Sequence, residues 1–147
     1  MMELEEGTRL DAGVYRALRD SVGWEAPTGT DDELQHALDL TWNVAARDPG
    51  GDVVGIGRLL EDGVLYATIW DMIVRPDWQR RGVGRMILER LLARAGSRTI
   101  VALVATPSGR VLYEQYGFRP ESRGSVGMLL RPSQANAGAA SSGTPST

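Results

Sequence analysis

Two short amphipathic segments open the chain. Apolar residues recur every three or four positions from Leu10 to Val22 and again from Leu34 to Thr41, which predicts two helices. Asp11 and the run Thr30-Asp31-Asp32 supply side chains that typically cap a helix N-terminus. The intervening stretch GWEAPTG is rich in helix breakers and carries an aromatic and an acidic residue. It is predicted to be a loop, either a plain connector or one with a functional role.

The middle of the chain changes to the periodicity of strands. Three apolar runs, separated by Asp-Pro-Gly-Gly and Glu-Asp-Gly turn signals, predict an antiparallel meander over residues 42–47, 52–60 and 65–74. The apolar positions between Val83 and Ala95 then predict a helix packed on the sheet. Further on, the pattern predicts a fully buried strand over residues 99–105, a helix over about 108–116, and a last strand over about 125–131.

This order of elements, with a weak strand over residues 2–6, predicts an α+β (mixed α/β) fold. Its central, mostly antiparallel twisted sheet has about 6–7 strands and is flanked by about 4 helices. The 147 residues suit one domain, which we place at residues 1–131. Residues 132–147 are small and polar and lack apolar periodicity, so they are predicted to be a disordered tail.

Composition narrows the classes of function. A net charge of -3 argues against the broad basic surface that nucleic-acid binding needs. With no cysteine and a single histidine, the chain has neither a disulfide framework nor the usual zinc ligands, and we expect no metal. No signal-like segment or membrane-spanning apolar run is present, so a cytoplasmic protein without a membrane partner is expected.

The densest chemical signal is the stretch RPDWQRRGVGRMILERLLA, which begins at Arg75. Gly82 and Gly84 open the backbone at the start of a predicted helix, where successive N–H groups from Arg80 to Arg85 form a nest suited to phosphate. Arg80, Arg81 and Arg85 either contact the anion or are merely solvated. A dinucleotide-binding loop is excluded because its third glycine is missing, and a Walker-type loop because no Lys-Ser/Thr follows.

Two motifs carry a family resemblance. The hexapeptide QRRGVG, residues 79–84, resembles Q/R-x-x-G-x-G/A, the acyl-CoA pyrophosphate loop of the GNAT superfamily of N-acetyltransferases. The heptapeptide LYEQYGF, residues 112–118, resembles the LYExxGF segment that ends the domain in these enzymes. The resemblance covers roughly residues 2–131. It implies a GNAT-like fold and acetyl-CoA as the acyl donor.

The resemblance also implies roles for particular residues. The backbone amides of Met72, Ile73 and Val74 would hold the pantetheine arm and polarise the thioester carbonyl. Tyr113 would protonate the departing thiolate as general acid, or else would be only a packed aromatic residue. Where relatives often carry an asparagine, this chain has Thr106, so that contact is expected to be weaker. The remaining expected coenzyme contacts are Gln79, Arg80, Arg81, Gly82, Val83, Gly84 and Arg85.

The acceptor side is less clearly marked. Asp71 precedes the carbonyl-holding residues, on the same side of the pleat as Ile69 and Ile73, and could bind and deprotonate a substrate ammonium. A structural ion pair with one of the many arginines is an equal alternative. Trp24 and Glu25, in the early loop, could line the acceptor site.

These observations predict an acetyl-CoA-dependent N-acetyltransferase in which a primary amine attacks the thioester directly in a ternary complex. A small-molecule amine is preferred as acceptor. The alternatives are a protein lysine or N-terminal amine, and a non-catalytic acyl-CoA-binding or sensing protein. The apolar last strand, Val126 to Leu130, could serve in a homodimer contact or in the core.

Overall fold

The computed structural model describes residues 1–97, 99–121 and 123–132. The chain divides into two compact units, Met1–Pro107 and Ser108–Thr147. The second unit contains helix α4 (Arg110–Gln115). The elements of the first are β1 (Glu3–Glu6), α1 (Ala12–Ser21), α2 (Asp31–Asp39), β2 (Trp42–Arg47), β3 (Val53–Glu61), β4 (Tyr66–Val74), α3 (Val83–Ala95) and β5 (Ile100–Leu103). The single domain over residues 1–131 stays a prediction, and the predicted tail lies outside the described residues except for Pro132.

Helices α1 and α2 begin at the predicted caps. The Asp11 carboxylate accepts a hydrogen bond from the Val14 amide at 3.1 Å. In α2, Thr30 Oγ1 accepts from the Glu33 amide at 3.2 Å, and the Glu33 carboxylate accepts from the Thr30 amide at 2.7 Å. This reciprocal capping box satisfies two amides that a helix N-terminus otherwise leaves unpaired.

The strands form one sheet in the order β1-β2-β3-β4-β5. Neighbouring strands are antiparallel from β1 to β4, so the predicted meander is confirmed. Strand β5 is parallel to β4, and α3 provides the crossover that a parallel pair requires. The α+β class is confirmed, with five strands in the described residues where six or seven were predicted.

Two strand predictions are corrected. Strand β5 is not fully buried, since Ile100 is 65% exposed. It lies at the edge of the described sheet, so an apolar run there has only one neighbour to cover it. Residues 125–131 form no strand within the described part of the chain, and Met128 is 87% exposed. Apolar alternation alone predicts a strand but cannot provide the partner whose hydrogen bonds a strand needs.

The two faces of the sheet carry different helices. Helix α3 lies against β3 at Gly57, where an added Cβ atom would be 2.7 Å from Ile87 and 2.8 Å from Leu91. Helices α1 and α2 cover the opposite face. Their apolar residues form a core with residues of β2, β3 and β4; its buried members are Leu10, Ala12, Tyr15, Leu18, Leu34, Leu38, Ala45, Ile56 and Ile73.

The tight contact at Gly57 gives a first prediction. Gly57→Ala should destabilise the fold by about 1–3 kcal/mol, because the new methyl group overlaps three packed side chains. Gly127→Ala is the matched control, since a Cβ there meets nothing within 4 Å and the expected change is within about 0.5 kcal/mol. Urea unfolding of both variants measures the difference. Equal stability would show that α3 does not approach β3 as closely as described.

Candidate active site

Strand β4 contains a bulge at Asp71 and Met72. Ile73 pairs with Ile56 and Trp70 with Arg58, so two residues of β4 lie opposite Gly57 alone. Asp71 has a φ angle of 54°, in the left-handed region that non-glycine residues rarely occupy. The bulge thus interrupts the β3–β4 ladder at Met72, the first residue of the segment expected to hold the thioester.

The bulge also changes which face each side chain occupies. Trp70 is the cross-strand partner of Arg58, so the two side chains lie on the same face. Asp71 also contacts Arg58, so the consecutive residues Trp70 and Asp71 both lie on the α1/α2 face. Ile73 belongs to the core on that face, as predicted. The prediction that Ile69 also lies on the α1/α2 face is wrong. Ile69 pairs with Leu59, which follows Arg58 along β3 and therefore lies on the opposite face of the sheet. A sequence pattern with strict period two cannot reveal the extra residue of a bulge.

The Asp71 carboxylate accepts hydrogen bonds from three donors. Tyr15 Oη donates to Oδ2 at 2.7 Å, and Arg58 Nη1 donates to the same oxygen at 2.9 Å. Arg19 Nη1 donates to Oδ1 at 3.2 Å. The side chains of Asp71, Arg58 and Arg19 are only 12%, 13% and 19% exposed. The ion pair left open as an alternative for Asp71 is therefore formed.

Arg19 brings together the predicted acceptor-site residues. Besides binding Asp71, its guanidinium donates from Nε and Nη2 to the Glu25 carbonyl oxygen at 3.0 and 2.8 Å. It also stacks over the Trp24 ring at 5.5 Å from the ring centre. The sequence reasoning missed Tyr15, Arg19 and Arg58 as specific partners. The spacing of Tyr15 and Arg19, four residues apart on one helix face, was the available signal.

Past β4, the chain turns into α3 through the glycine-rich loop. Gln79 Nε2 donates to the Val74 carbonyl oxygen at 2.9 Å, which ties the loop to the end of the strand. Arg80 has a φ angle of 61°, and Gly82 has 81° as the N-cap residue of α3. The left-handed turns direct the backbone towards the N-terminus of α3, where amides and helix dipole favour an anion.

Arginines provide the positive charge around this loop. Arg81 lies over the Trp78 ring, with its guanidinium carbon 4.8 Å from the ring centre. The loop continues through Val83, Gly84 and Arg85 in the first turn of α3. Thr106 follows β5 and is exposed. The protein has 16 arginines and no lysine.

Tyr113 lies on α4 in the second unit. Its ring packs edge-on against Phe118, with 5.9 Å between the ring centres. The Tyr113 carbonyl oxygen accepts from the Phe118 amide at 3.2 Å, which closes the end of the helix. Burial raises the pKa of the Tyr113 phenol above its ordinary value. The hydroxyl is thus kept protonated over the physiological range, as a proton donor requires.

A family model for the acetyltransferase (GNAT) domain matches residues 39–120, which include both the glycine-rich loop and α4. The chain belongs to the GNAT family. This GNAT chain is 31% identical over 129 residues to serotonin N-acetyltransferase 2, chloroplastic, of Oryza sativa subsp. japonica, covering 84% of the chain and 64% of the rice protein. It is 31% identical over 137 residues to histone acetyltransferase TAP1 of Glycine max, covering 83% of the chain and 58% of the soybean protein.

The fold comparison agrees. A GNAT-family acetyltransferase from Streptococcus pneumoniae superimposes with a TM-score of 0.72 at 27% identity, covering 89% of the GNAT chain and 98% of that structure. The predicted family, fold and enzyme class, an acetyl-CoA-dependent N-acetyltransferase, are confirmed.

Two expected absences and the expected location stay predictions. In residues 1–97, 99–121 and 123–132, no three His, Cys, Asp or Glu side chains are grouped so that they could bind a metal ion. Over the same residues, no helix has the length and apolar character to cross a bilayer. The rice relative is named as chloroplastic, and the cytoplasmic location of the GNAT chain stays a prediction.

The loop geometry predicts a selective loss of coenzyme binding in Gly82→Glu. The new carboxylate would stand at the N-terminus of α3 and repel the pyrophosphate, so we expect the affinity for acetyl-CoA to fall at least about a hundredfold. Titration calorimetry measures the change.

Gly96→Glu is the matched control. Gly96 ends the same helix with a φ angle of 79°, and both glycines have open space around an added Cβ. The control therefore carries the same charge and a similar backbone strain at the opposite end of α3. If both variants bound acetyl-CoA equally well, the coenzyme phosphates would not lie at the glycine-rich loop.

Proposed function

We propose that this GNAT chain transfers the acetyl group of acetyl-CoA directly to the primary amine of a small molecule. The observation that carries the proposal is the bulge at Asp71–Met72, seven residues upstream of the glycine-rich loop that begins at Gln79. A bulge leaves one backbone group outside the ladder, where it can bind a ligand. The glycine-rich loop then provides the phosphate contacts at the other end of the coenzyme.

In the proposed reaction, the neutral amine attacks the thioester carbonyl carbon and forms the new C–N bond. The backbone N–H group of Met72 stabilises the negative charge on the carbonyl oxygen. Collapse of the tetrahedral intermediate breaks the C–S bond, and the thiolate takes the proton of Tyr113. The acceptor nitrogen releases its proton to solvent, and the Tyr113 phenolate takes up a proton from solvent. The LYEQYGF motif and the raised pKa of the buried phenol support Tyr113 as the donor.

The acceptor is proposed to bind on the α1/α2 face beside Asp71. Trp70 is 41% exposed there, next to Asp71, and offers an apolar surface to the body of an amine. Glu25 is exposed and could attract the ammonium, whereas Asp71 is already paired with two guanidinium groups. The aromatic surroundings and the likeness to the rice serotonin N-acetyltransferase favour an arylalkylamine.

An amine panel tests the acceptor class. Release of coenzyme A is measured with acetyl-CoA and tryptamine, spermidine, an aminoglycoside, free amino acids or a lysine-containing histone-tail peptide, with Gly82→Glu as the inactive control. We expect the highest kcat/KM with tryptamine.

In Glu25→Gln, the KM for the amine should rise about three- to tenfold through loss of one charged contact, with little change in kcat.

Two other results would replace this acceptor. Preference for the peptide would favour a protein acetyltransferase, a reading supported by the likeness to the soybean histone acetyltransferase. Binding of acetyl-CoA without turnover of any amine would favour an acyl-CoA sensor.

The acid role of Tyr113 has its own test. Tyr113→Phe should lower kcat by about 10²–10⁴-fold while leaving the affinity for acetyl-CoA nearly unchanged, because the phenol proton is needed only as the thiolate leaves. Because burial raises the phenol pKa, loss of the phenol proton should begin to lower the wild-type rate only above the ordinary value near 10.

Tyr116→Phe is the control for this change. It removes a hydroxyl from the neighbouring turn of the same motif, and we expect a kcat within about threefold of wild type. Equal rates for wild type and Tyr113→Phe would assign Tyr113 a packing role.

A further inference from the structure

Asp71 combines two unusual features. It is one of two non-glycine residues with a positive φ angle among those described, the other being Arg80. Left-handed backbone costs an L-residue about 1–2 kcal/mol, although aspartate tolerates it better than most. Its side chain, 12% exposed, also carries a charge into the interior. Both costs must be offset by its neighbours.

The neighbours that hold Asp71 come from other parts of the fold. Tyr15 and Arg19 are on α1, and Arg58 is on β3. Two of them are fixed in turn. Arg58 donates from Nε to Thr41 Oγ1 at 3.1 Å and from Nη2 to the carbonyl oxygen of Ala37 at 3.2 Å. Arg19 is held at the Glu25 carbonyl oxygen.

The bulge sets the direction in which Tyr15, Arg19 and Arg58 hold the Asp71 side chain. The Asp71 side chain is drawn towards α1, while the Met72 side chain lies on the other face, beside Gly57 and α3. Two consecutive side chains are thus anchored on opposite faces across the extra residue. This anchoring fixes the rotation of the peptide group between Asp71 and Met72. Without it, the strand could relax and this peptide group could join the regular ladder.

We propose that Asp71 is a positioning residue: the clamp of Tyr15, Arg19 and Arg58 on its carboxylate keeps β4 bulged and so aims the Met72 amide at the thioester carbonyl. The inference rests on the proposed function and replaces the predicted base role of Asp71. The base role requires a carboxylate that exchanges a proton with the amine. The positioning role requires only that the side chain accept hydrogen bonds and tolerate a left-handed backbone.

Asparagine separates the two roles. Asp71→Asn keeps an acceptor oxygen and a preference for the left-handed region, but it cannot act as a base. Asp71→Ala loses both the acceptor and the tolerance. A direct readout is the infrared carbonyl stretch of bound acetyl-CoA carrying ¹³C at the acetyl carbonyl, because hydrogen bonding to that oxygen lowers the frequency.

If Asp71 has the positioning role, the carbonyl frequency of acetyl-CoA should be lowered on binding to the wild-type protein. Asp71→Asn should retain the larger part of this shift, and Asp71→Ala should lose it, while coenzyme affinity stays within about tenfold. Tryptamine turnover should follow the same order, with about a 10²–10³-fold loss in Asp71→Ala, as for removal of an oxyanion donor. An unchanged carbonyl frequency shift in Asp71→Ala would overturn the proposal. Equal loss of turnover in Asp71→Asn and Asp71→Ala, with the frequency shift intact, would overturn it as well.

Variants of the clamp keep the test valid if Asp71→Ala does not fold. Tyr15→Phe removes one donor and should reduce the shift partially; Arg58→Met removes another and should reduce it further. Thermal unfolding identifies the variants that remain folded. A full shift in folded Arg58→Met would count against the clamp. Failure of wild type to bind acetyl-CoA would instead overturn the proposed function itself, which distinguishes the two failures.

Discussion

The carboxylate of Asp71 connects elements that are far apart in sequence. Through it, α1 and β3 are joined to β4, and Arg19 extends the connection to the loop after α1. Removing one partner of a buried ion pair costs about 3–5 kcal/mol, which is an upper limit here because the three side chains keep some exposure. Charge pairing at Asp71 therefore adds to the apolar packing that holds β4.

Packing against α3 links the bulge to the glycine-rich loop. The space above Gly57 is filled by three side chains: Met72 from the bulge, and Ile87 and Leu91 from α3. Val83, in the first turn of α3, lies above Gly55 in the same way. The N-terminus of α3 is consequently seated on the strand pair that carries the bulge. Both ends of the proposed coenzyme site thus share one rigid support.

The sequence was sufficient wherever a local rule determines the structure. The caps at Asp11 and Thr30, the meander and the glycine-rich loop each follow from a few neighbouring residues. It was insufficient where the structure of a residue depends on a partner that is distant in sequence. The choice of Arg19 and Arg58 for Asp71 depends on α1 crossing β4, and the bulge depends on what those arginines hold. Likewise, Val126 to Leu130 has the pattern of a strand but no ladder in the described residues.

The composition of the clamp has a chemical consequence. Both cations beside Asp71 are guanidinium groups, and the protein contains no lysine. A lysine ammonium can lose its proton when buried and become a nucleophilic amine, whereas a guanidinium stays charged. Next to an activated thioester, a lysine would compete with the acceptor for the acetyl group. Arginine supplies the same charge without that side reaction, so the protein offers its own acyl donor no side-chain amine to modify.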